Sequence, residues 1–168
     1  MSGRSAVNPG ATLPAFLVQA VAANNLTAAV AAARYCELSS VPEDAGRYWM
    51  RAGRLGHPEA QWRCGYAYYK GLLGHTRDSE EALLWLSRAT KRLAEVVFDG
   101  DHAPVLTTAL QCRAILAQAA HVLGFLHLDG EGTKQDTGAA LQCFKTARLC
   151  GCTEAGSVLG SLFRNGQY

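Results

Sequence analysis

The sequence predicts an all-α protein, a short right-handed α-solenoid of antiparallel helix pairs with an extended helical hairpin inserted in the middle. A motif of alanine, leucine or cysteine, glycine, and an aromatic residue or histidine begins at Ala60, Ala119 and Ala155. The last two copies start 36 residues apart, a period typical of helical repeat arrays. Apolar residues within each copy recur at steps of three and four, which is the spacing of a helix that buries one face.

The first 42 residues are predicted to form a separate segment that contains a helical hairpin. Its helices are expected over Pro14–Ala23 and Thr27–Glu37, packed on the first repeat. The first 36 residues contain no acidic side chain and carry Arg4 and Arg34. Acid-poor starts are typical of mitochondrial targeting segments, whereas Arg4 ahead of an apolar stretch is typical of a secretory signal. A mitochondrial location is the expectation, and a cytoplasmic location with a purely structural hairpin is the alternative.

No segment is predicted to span a membrane. The most apolar candidate, Leu13–Ala33, is interrupted by Gln19, Asn24, Asn25 and Thr27. A spanning helix needs ~20 consecutive, predominantly apolar residues.

Each repeat is predicted to be a helix, a turn and a second helix. Gly71 and Gly130 stand where the first helix ends, because glycine tolerates the left-handed conformation there. Asp78 and Asp136 stand where the second helix begins, because an aspartate oxygen accepts from the free amides of the first turn. Glycines within the first helices weaken the helix, so they predict close approach of a neighbouring helix; these are Gly65, Gly124 and Gly160.

The hairpin insertion lies between the first two motif copies. The interval is 8 residues over Ala52–Ala60 and over Ala147–Ala155, but it is 30 residues over Ala89–Ala119. The extra residues predict a longer helix, a turn at Asp99-Gly100-Asp101, and a new helix that opens at Pro104. The second arm is apolar on nearly all sides, and a helix of that kind is buried. We therefore expect the 91–117 extension to contact a partner, with these candidate residues: Val105, Leu106, Leu110.

The third motif predicts a second partner-binding surface over residues 154–168. It supplies a first helix, and no second helix follows to cover its apolar side chains. A solenoid end normally carries a polar cap, and Arg164, Asn165 and Gln167 are too few for one. The uncovered side chains are expected to be Val158, Leu159, Leu162 and Phe163. The alternative is that this helix lies flat on helix 137–150 and needs no further cover.

No spacing in the chain points to catalysis, a cofactor or a metal. The sequence contains no Cys-x-x-Cys pair, and no local pattern joins a serine or cysteine to a base. Gly130-Glu131-Gly132 lacks the lysine and hydroxyl residue of a phosphate-binding loop. The six cysteines are expected to be reduced, with Cys64 and Cys143 as small buried apolar residues. Three aromatic residues lie at helical spacing: Trp62, Tyr66 and Tyr69. They are expected to form either part of the core or a protein-binding face.

The joint recurrence of these positions resembles the Sel-one-like repeat family, a relative of tetratricopeptide repeats. The resemblance covers repeats over 43–90 and 117–167 of a solenoid that spans 43–168. It implies an adaptor or scaffold that binds other proteins, with no catalytic residues. Relatives stapled by disulfides pair cysteines where this chain has Arg148 and Gly156. The residues that carry the resemblance are Gly65-x-x-Tyr68-x-x-Gly71, Asp78-x3-Ala82-x2-Trp85, Ala89, Leu123-Gly124-x-x-His127-x-x-Gly130-x-Gly132 and Asp136-x3-Ala140-x2-Cys143-Phe144-x2-Ala147.

Composition favours a protein that works in contact with other proteins. Charged residues make up 18% of the chain and the net charge is only +2, so no attraction to nucleic acid is implied. We expect a non-catalytic interaction scaffold, an accessory subunit of a larger, mitochondrial protein complex. The alternative is a soluble regulatory adaptor that binds a peptide or protein in its concave groove. The partners expected are other protein subunits, without a nucleic acid or a small-molecule substrate.

Overall fold

The protein folds as a chain of α-helices, as the sequence predicts. The computed structural model describes residues 13–39, 42–100, 107–164 and 166. Within these ranges it contains no strand and eight helices, which are α1 Ala15–Ala22, α2 Leu26–Leu38, α3 Pro42–Arg54, α4 Pro58–Lys70, α5 Ser79–Phe98, α6 Ala109–Asp129, α7 Thr137–Leu149 and α8 Thr153–Arg164. Each helix packs against the next one along the chain, and α4 also touches α6. This pairing of sequence neighbours confirms the all-α solenoid.

The predicted helix ends are confirmed in both complete repeats. Gly71 follows α4 with φ +69°, and Gly130 follows α6 with φ +71°, the left-handed conformation that glycine adopts without a steric penalty. Asp78 caps α5 by accepting from the amides of Glu80 and Glu81. Asp136 caps α7 in the same way, by accepting from the amide of Ala139 at 2.8 Å.

Close helix approach is confirmed at two of the three repeat glycines. A Cβ built on Gly65 would lie 2.6 Å from Cγ of Leu86 on α5, and one on Gly124 would lie 2.7 Å from the Phe144 ring on α7. The prediction is wrong for Gly160, where nothing lies within 4 Å. The first two glycines face the second helix of their own repeat. After α8 the described residues contain no such helix, so Gly160 is exposed.

The N-terminal hairpin continues the array. Its helices lie where the sequence places them, and Asn25 caps α2 by accepting from the amide of Ala28. The buried alanines of α2 share one apolar cluster with Trp49 of α3 and with Cys64 of α4. Small side chains let α2 approach α3 closely, and this builds the core at that end of the chain.

The insertion lengthens α5 and α6, but α6 begins later than predicted. α5 continues to Phe98, and the new helix starts at Ala109. Pro104, the predicted start, lies outside the described residues, as do the candidates Val105 and Leu106. Thr108 sets the observed start, because its hydroxyl accepts from the amide of Gln111 while the Gln111 side chain accepts from the amide of Thr108.

The extension is also better covered than predicted. Cys112 and Leu116 are fully buried, in one cluster with Leu93 and Val96 of α5. Leu110, in the first turn of α6, remains 78% exposed. The neighbouring arm therefore covers the Cys112 and Leu116 side of α6, whereas the predicted candidate Leu110 stays in solvent.

The sequence predicts no membrane-spanning segment, and α6 is the one described helix whose length and composition bear on that prediction. This helix of 21 residues is long and apolar enough by composition, and 44% of its most apolar window is buried inside the protein. Its apolar side chains pack on both sides, with Leu123 beside Leu86 of α5 and Ala120 beside Phe144 of α7. A central helix of a repeat array is apolar for that reason, since neighbours cover two of its faces.

The prediction of an uncovered last helix is wrong for two of its four side chains. Leu159 is 6% exposed and the candidate Leu162 is 5% exposed. Both pack in one cluster with Phe144 of α7, so α8 lies flat on the preceding helix. Val158 is half-buried and Phe163 is 49% exposed.

Candidate protein-interaction groove

A groove runs between α4, α6 and the start of α8, and we call it the α4–α6–α8 groove. Its volume is about 710 Å³. The candidates Trp62, Tyr66 and Tyr69 lie in it together, whereas Leu110, Val158 and Phe163 are not part of its lining. The residues that line it are Trp62, Tyr66, Tyr69, Lys70, Gln118, His121, Val122, Phe125, Gly151, Cys152 and Glu154.

One wall of the groove is a row of aromatic rings on α4. Steps of four and three residues bring Trp62, Tyr66 and Tyr69 onto one face of the helix. The Trp62 and Tyr66 rings are stacked with centroids 6.0 Å apart, and the Tyr66 and Tyr69 centroids are 6.5 Å apart. All three side chains are only partly buried, so this row of rings is accessible to a ligand as well as packed against the protein.

The opposite wall on α6 was not predicted from the sequence. His121 and Phe125 meet edge to face with centroids 5.1 Å apart, and both rings contact the buried Phe144 of α7. The four-residue step from His121 to Phe125 was the available signal. This spacing alone does not predict a groove wall, because nothing in the sequence shows that α4 and α6 lie side by side.

Two polar atoms in the groove are buried without a hydrogen-bond partner among the described residues. They are Nε1 of Trp62 and Nε2 of His121. The indole N–H is a donor only, while the imidazole nitrogen donates or accepts according to its tautomer. A buried polar group without a partner costs ~1–3 kcal/mol. A ligand oxygen that accepts from Trp62 would remove that cost.

An ion-pair network fixes α4 against α2 beside the groove. Glu59 accepts from Arg34 at 2.7 Å and from Nε of Arg63 at 3.1 Å. Arg63 also donates to Glu37 at 2.6 Å. Its guanidinium lies 4.5 Å from the centre of the Trp49 ring and 5.7 Å from that of Trp62. The network therefore holds the position of the Trp62 ring at the edge of the groove.

Charge in the groove is nearly balanced. Lys70 lies with its ammonium 4.7 Å from the centre of the Tyr69 ring. Glu154 accepts from Sγ of Cys152 at 3.3 Å. Hydrogen bonds from its own backbone amide and from that thiol lower the pKa of Glu154, so it is ionised at neutral pH. One cation and one anion leave the groove with little net charge, which favours a ligand that is apolar and close to neutral overall.

The cysteines are free thiols that the fold keeps protonated. Burial raises the pKa of Cys64 to about 12 and that of Cys143 to about 11. Cys64 is buried as predicted, whereas Cys143 is half-buried at the edge of an apolar cluster. Cδ of Arg148 lies 3.6 Å from where a Cβ on Gly156 would be. The resemblance places the disulfide of stapled relatives at these two positions, and they face each other here without sulfur.

The fold and the groove together define a class of protein. Stacked helix pairs that present a groove are typical of helical-repeat proteins, which use such surfaces to bind partners. The family model described as Sel1 repeat matches residues 58–92 and 117–152. These two segments are therefore Sel1-like repeats, as the sequence motifs predicted, and proteins with such repeats generally mediate protein–protein interactions.

Solved structures with the same fold include two bacterial proteins. The crystal structure of a Sel1 repeat protein from Oxalobacter formigenes has a TM-score of 0.66 and 24% identity over 90% of this chain, and the match covers 54% of that protein. Helicobacter pylori cysteine rich protein B has a TM-score of 0.52 and 18% identity over 89% of this chain and 99% of its own. At these identities the likeness concerns the fold alone. This chain spans about half the length of the Oxalobacter formigenes protein. A comparison with curated proteins finds no match.

Proposed function

We propose that this protein is a non-catalytic scaffold that holds a segment of a partner protein in the α4–α6–α8 groove. The observation that carries the proposal is the pairing of aromatic walls with two buried polar atoms that lack partners. An apolar or aromatic side chain fits between Tyr66 and Phe125, and a backbone carbonyl of the same segment accepts from Trp62. Aromatic anchors with a few placed polar groups are what binding pockets use for affinity and orientation.

Site-specific photo-crosslinking tests this proposal. A benzophenone amino acid replaces Tyr66 in the groove of the full chain, and a control protein carries it at Leu84, which is exposed on α5. We expect the Tyr66 position to crosslink one defined segment of a partner in native extract, while the Leu84 position does not. Equal crosslinking from both positions, or none from Tyr66 when the complex is present, would remove the groove as the binding site.

A second candidate function is an accessory subunit of a larger, mitochondrial complex. Two observations favour it, the low charge of the chain and the exposure of Leu110 and Phe163. The burial of Leu162 and Leu116 reduces the apolar surface on which it rests. Leu110→Glu and Phe163→Glu test it, because a permanent subunit with either change would leave its complex during native size separation. Cell fractionation tests the mitochondrial location.

A further inference from the structure

A second cavity lies away from the groove, where α3 meets the α1–α2 turn and the loop after α4. Its volume is about 480 Å³. Basic and phenolic side chains dominate the lining, with two apolar residues beside them. The residues that line it are Val21, Arg47, Tyr48, Met50, Arg51, Arg54, Tyr68 and His75. We call it the α3 arginine pocket.

Arg51 is held in place and still has a free donor. Its terminal nitrogen donates to the carbonyl of Ala22 at 3.3 Å and to the side chain of Asn24 at 2.9 Å. Asn24 lies in the α1–α2 turn with φ +59°, a left-handed conformation. The Nε atom of Arg51 is buried and has no partner in the part of the chain that the structure describes. A fixed guanidinium with an unused N–H is ready to donate to a ligand oxygen.

The positive charge of the pocket exceeds its negative charge. Arg47 forms an exposed pair with Asp44 at 3.5 Å. Neither Arg51 nor Arg54 forms a salt bridge to a described acidic residue. Two carboxylates, Asp78 and Glu81, act on Tyr68, but neither lines the pocket.

The hydroxyls of the pocket add further donors. Tyr68 packs its ring on His75 with centroids 4.4 Å apart, which fixes both rings at one edge. The phenol of Tyr48 is half-buried at another edge and makes no hydrogen bond within the described ranges. Met50 and Val21 supply an apolar floor beside these polar groups.

We propose that the α3 arginine pocket binds a phosphate monoester. A phosphate monoester carries a charge of about −1.5 to −2 at neutral pH and three acceptor oxygens. The two guanidinium groups without acidic partners match that charge, and Nε of Arg51 with the phenols supplies donors for its oxygens. A carboxylate brings one charge and two oxygens, so it leaves one guanidinium unmatched. The group to which the phosphate is attached lies on Met50 and Val21.

Calorimetric titration of the full chain at low salt tests this site with two probes of one shape. Phenyl phosphate is a dianion at pH 7.5, whereas phenyl sulfate keeps the ring and tetrahedral oxygens with one charge. We expect one saturable site for phenyl phosphate, with phenyl sulfate at least about tenfold weaker, because the sulfate keeps the three acceptor oxygens but lacks the second negative charge that strengthens hydrogen bonds from guanidinium groups. Phenyl sulfate that binds as tightly as phenyl phosphate, or phenyl phosphate that does not saturate, would overturn the proposal.

Variants locate the binding. Arg54→Gln removes a charge without removing any described hydrogen bond, so its fold is expected to persist, and we expect affinity to fall about tenfold. Arg148→Gln, an exposed position on α7, is the matched control and leaves affinity unchanged. Equal loss in both variants would mean that general surface charge binds the probe, and this would contradict a site. In nuclear magnetic resonance spectra, the Nε–H signal of Arg51 must move on addition of phenyl phosphate.

The source of the phosphate is distinguished by two further probes, a short peptide with one phosphoserine and inorganic phosphate. Tighter binding of the peptide supports a phosphorylated side chain of a protein as the ligand. Equal binding supports a free phosphate compound. In either case the Arg54→Gln variant must weaken the interaction, and a variant that binds like wild type contradicts the proposal for that probe.

Discussion

Replacing Gly65 by alanine tests the helix contact on which the repeat fold depends. The new Cβ would lie 2.6 Å from Cγ of Leu86 and 3.0 Å from its backbone nitrogen. Leu86 is fully buried, and a backbone atom cannot rotate away as a side-chain tip can. Helices α4 and α5 must therefore separate by some tenths of an ångström to admit the methyl group.

Gly160→Ala gives the reference for the magnitude. Both changes gain helix propensity, ~1 kcal/mol for alanine in place of glycine within a helix. Only Gly65 adds an overpacking cost, typically ~1–3 kcal/mol, since nothing lies within 4 Å of Gly160. Propensity cancels in the comparison. Gly65→Ala should therefore be less stable than Gly160→Ala by ~1–3 kcal/mol, and Gly160→Ala should be more stable than wild type.

Urea denaturation followed by circular dichroism measures both variants. Thermal melts should separate them by ~2–4 °C for each kcal/mol in a chain of this size. If Gly65→Ala stabilised the protein as much as Gly160→Ala does, α4 and α5 would not touch at this position. The assignment of these glycines to helix contacts would then fail.

Three further predictions concern the network, a helix cap and a thiol. Glu59→Gln should lower the free energy of unfolding by ~1–3 kcal/mol, because two arginines lose their buried anion. Glu131→Gln breaks an exposed pair and should cost at most ~1 kcal/mol. Urea titration compares the two variants. Asp136→Ala should cost ~1 kcal/mol through the lost cap of α7, and a thermal melt unchanged from wild type would contradict that cap. Burial raises the pKa of Cys64 from 9.0 to about 12, so the folded state keeps a proton that the unfolded state loses. The resulting stability is fully present below pH 9.0 and is lost as the pH rises towards about 12, and Cys64→Ala should lack this loss in pH-dependent denaturation.

The repeat fold could be predicted because its signals are local. A glycine after a helix and an aspartate before the next one act within a few residues, so Gly71 and Asp78 were interpreted correctly. The surroundings of a motif, by contrast, depend on its position in the array and are not encoded locally. The same motif places Gly124 against Phe144 but leaves Gly160 in solvent, because the difference is the presence of a neighbouring helix.

The groove could be predicted only in part, for the same reason. Trp62, Tyr66 and Tyr69 were identified as one helical face from their spacing, which fixes a face whatever lies opposite. His121 joins them only because α6 packs beside α4, a contact between residues far apart in sequence. Leu162 was predicted to be uncovered but is buried against α7. An apolar pattern alone does not reveal which neighbouring helix covers a side chain.

The dissociation constant of the crosslinked partner segment, measured with Trp62→Phe, tests the central claim most directly. Phenylalanine keeps an aromatic ring and removes the indole N–H, so the change isolates the donor that lacks a partner in the groove. A lost hydrogen bond of ~1 kcal/mol predicts binding about fivefold weaker than wild type. Leu84→Ala, on α5 outside the groove, should bind like wild type. A Trp62→Phe protein that binds the segment as tightly as wild type, or a Leu84→Ala protein that loses as much, would contradict the groove as the partner-binding site.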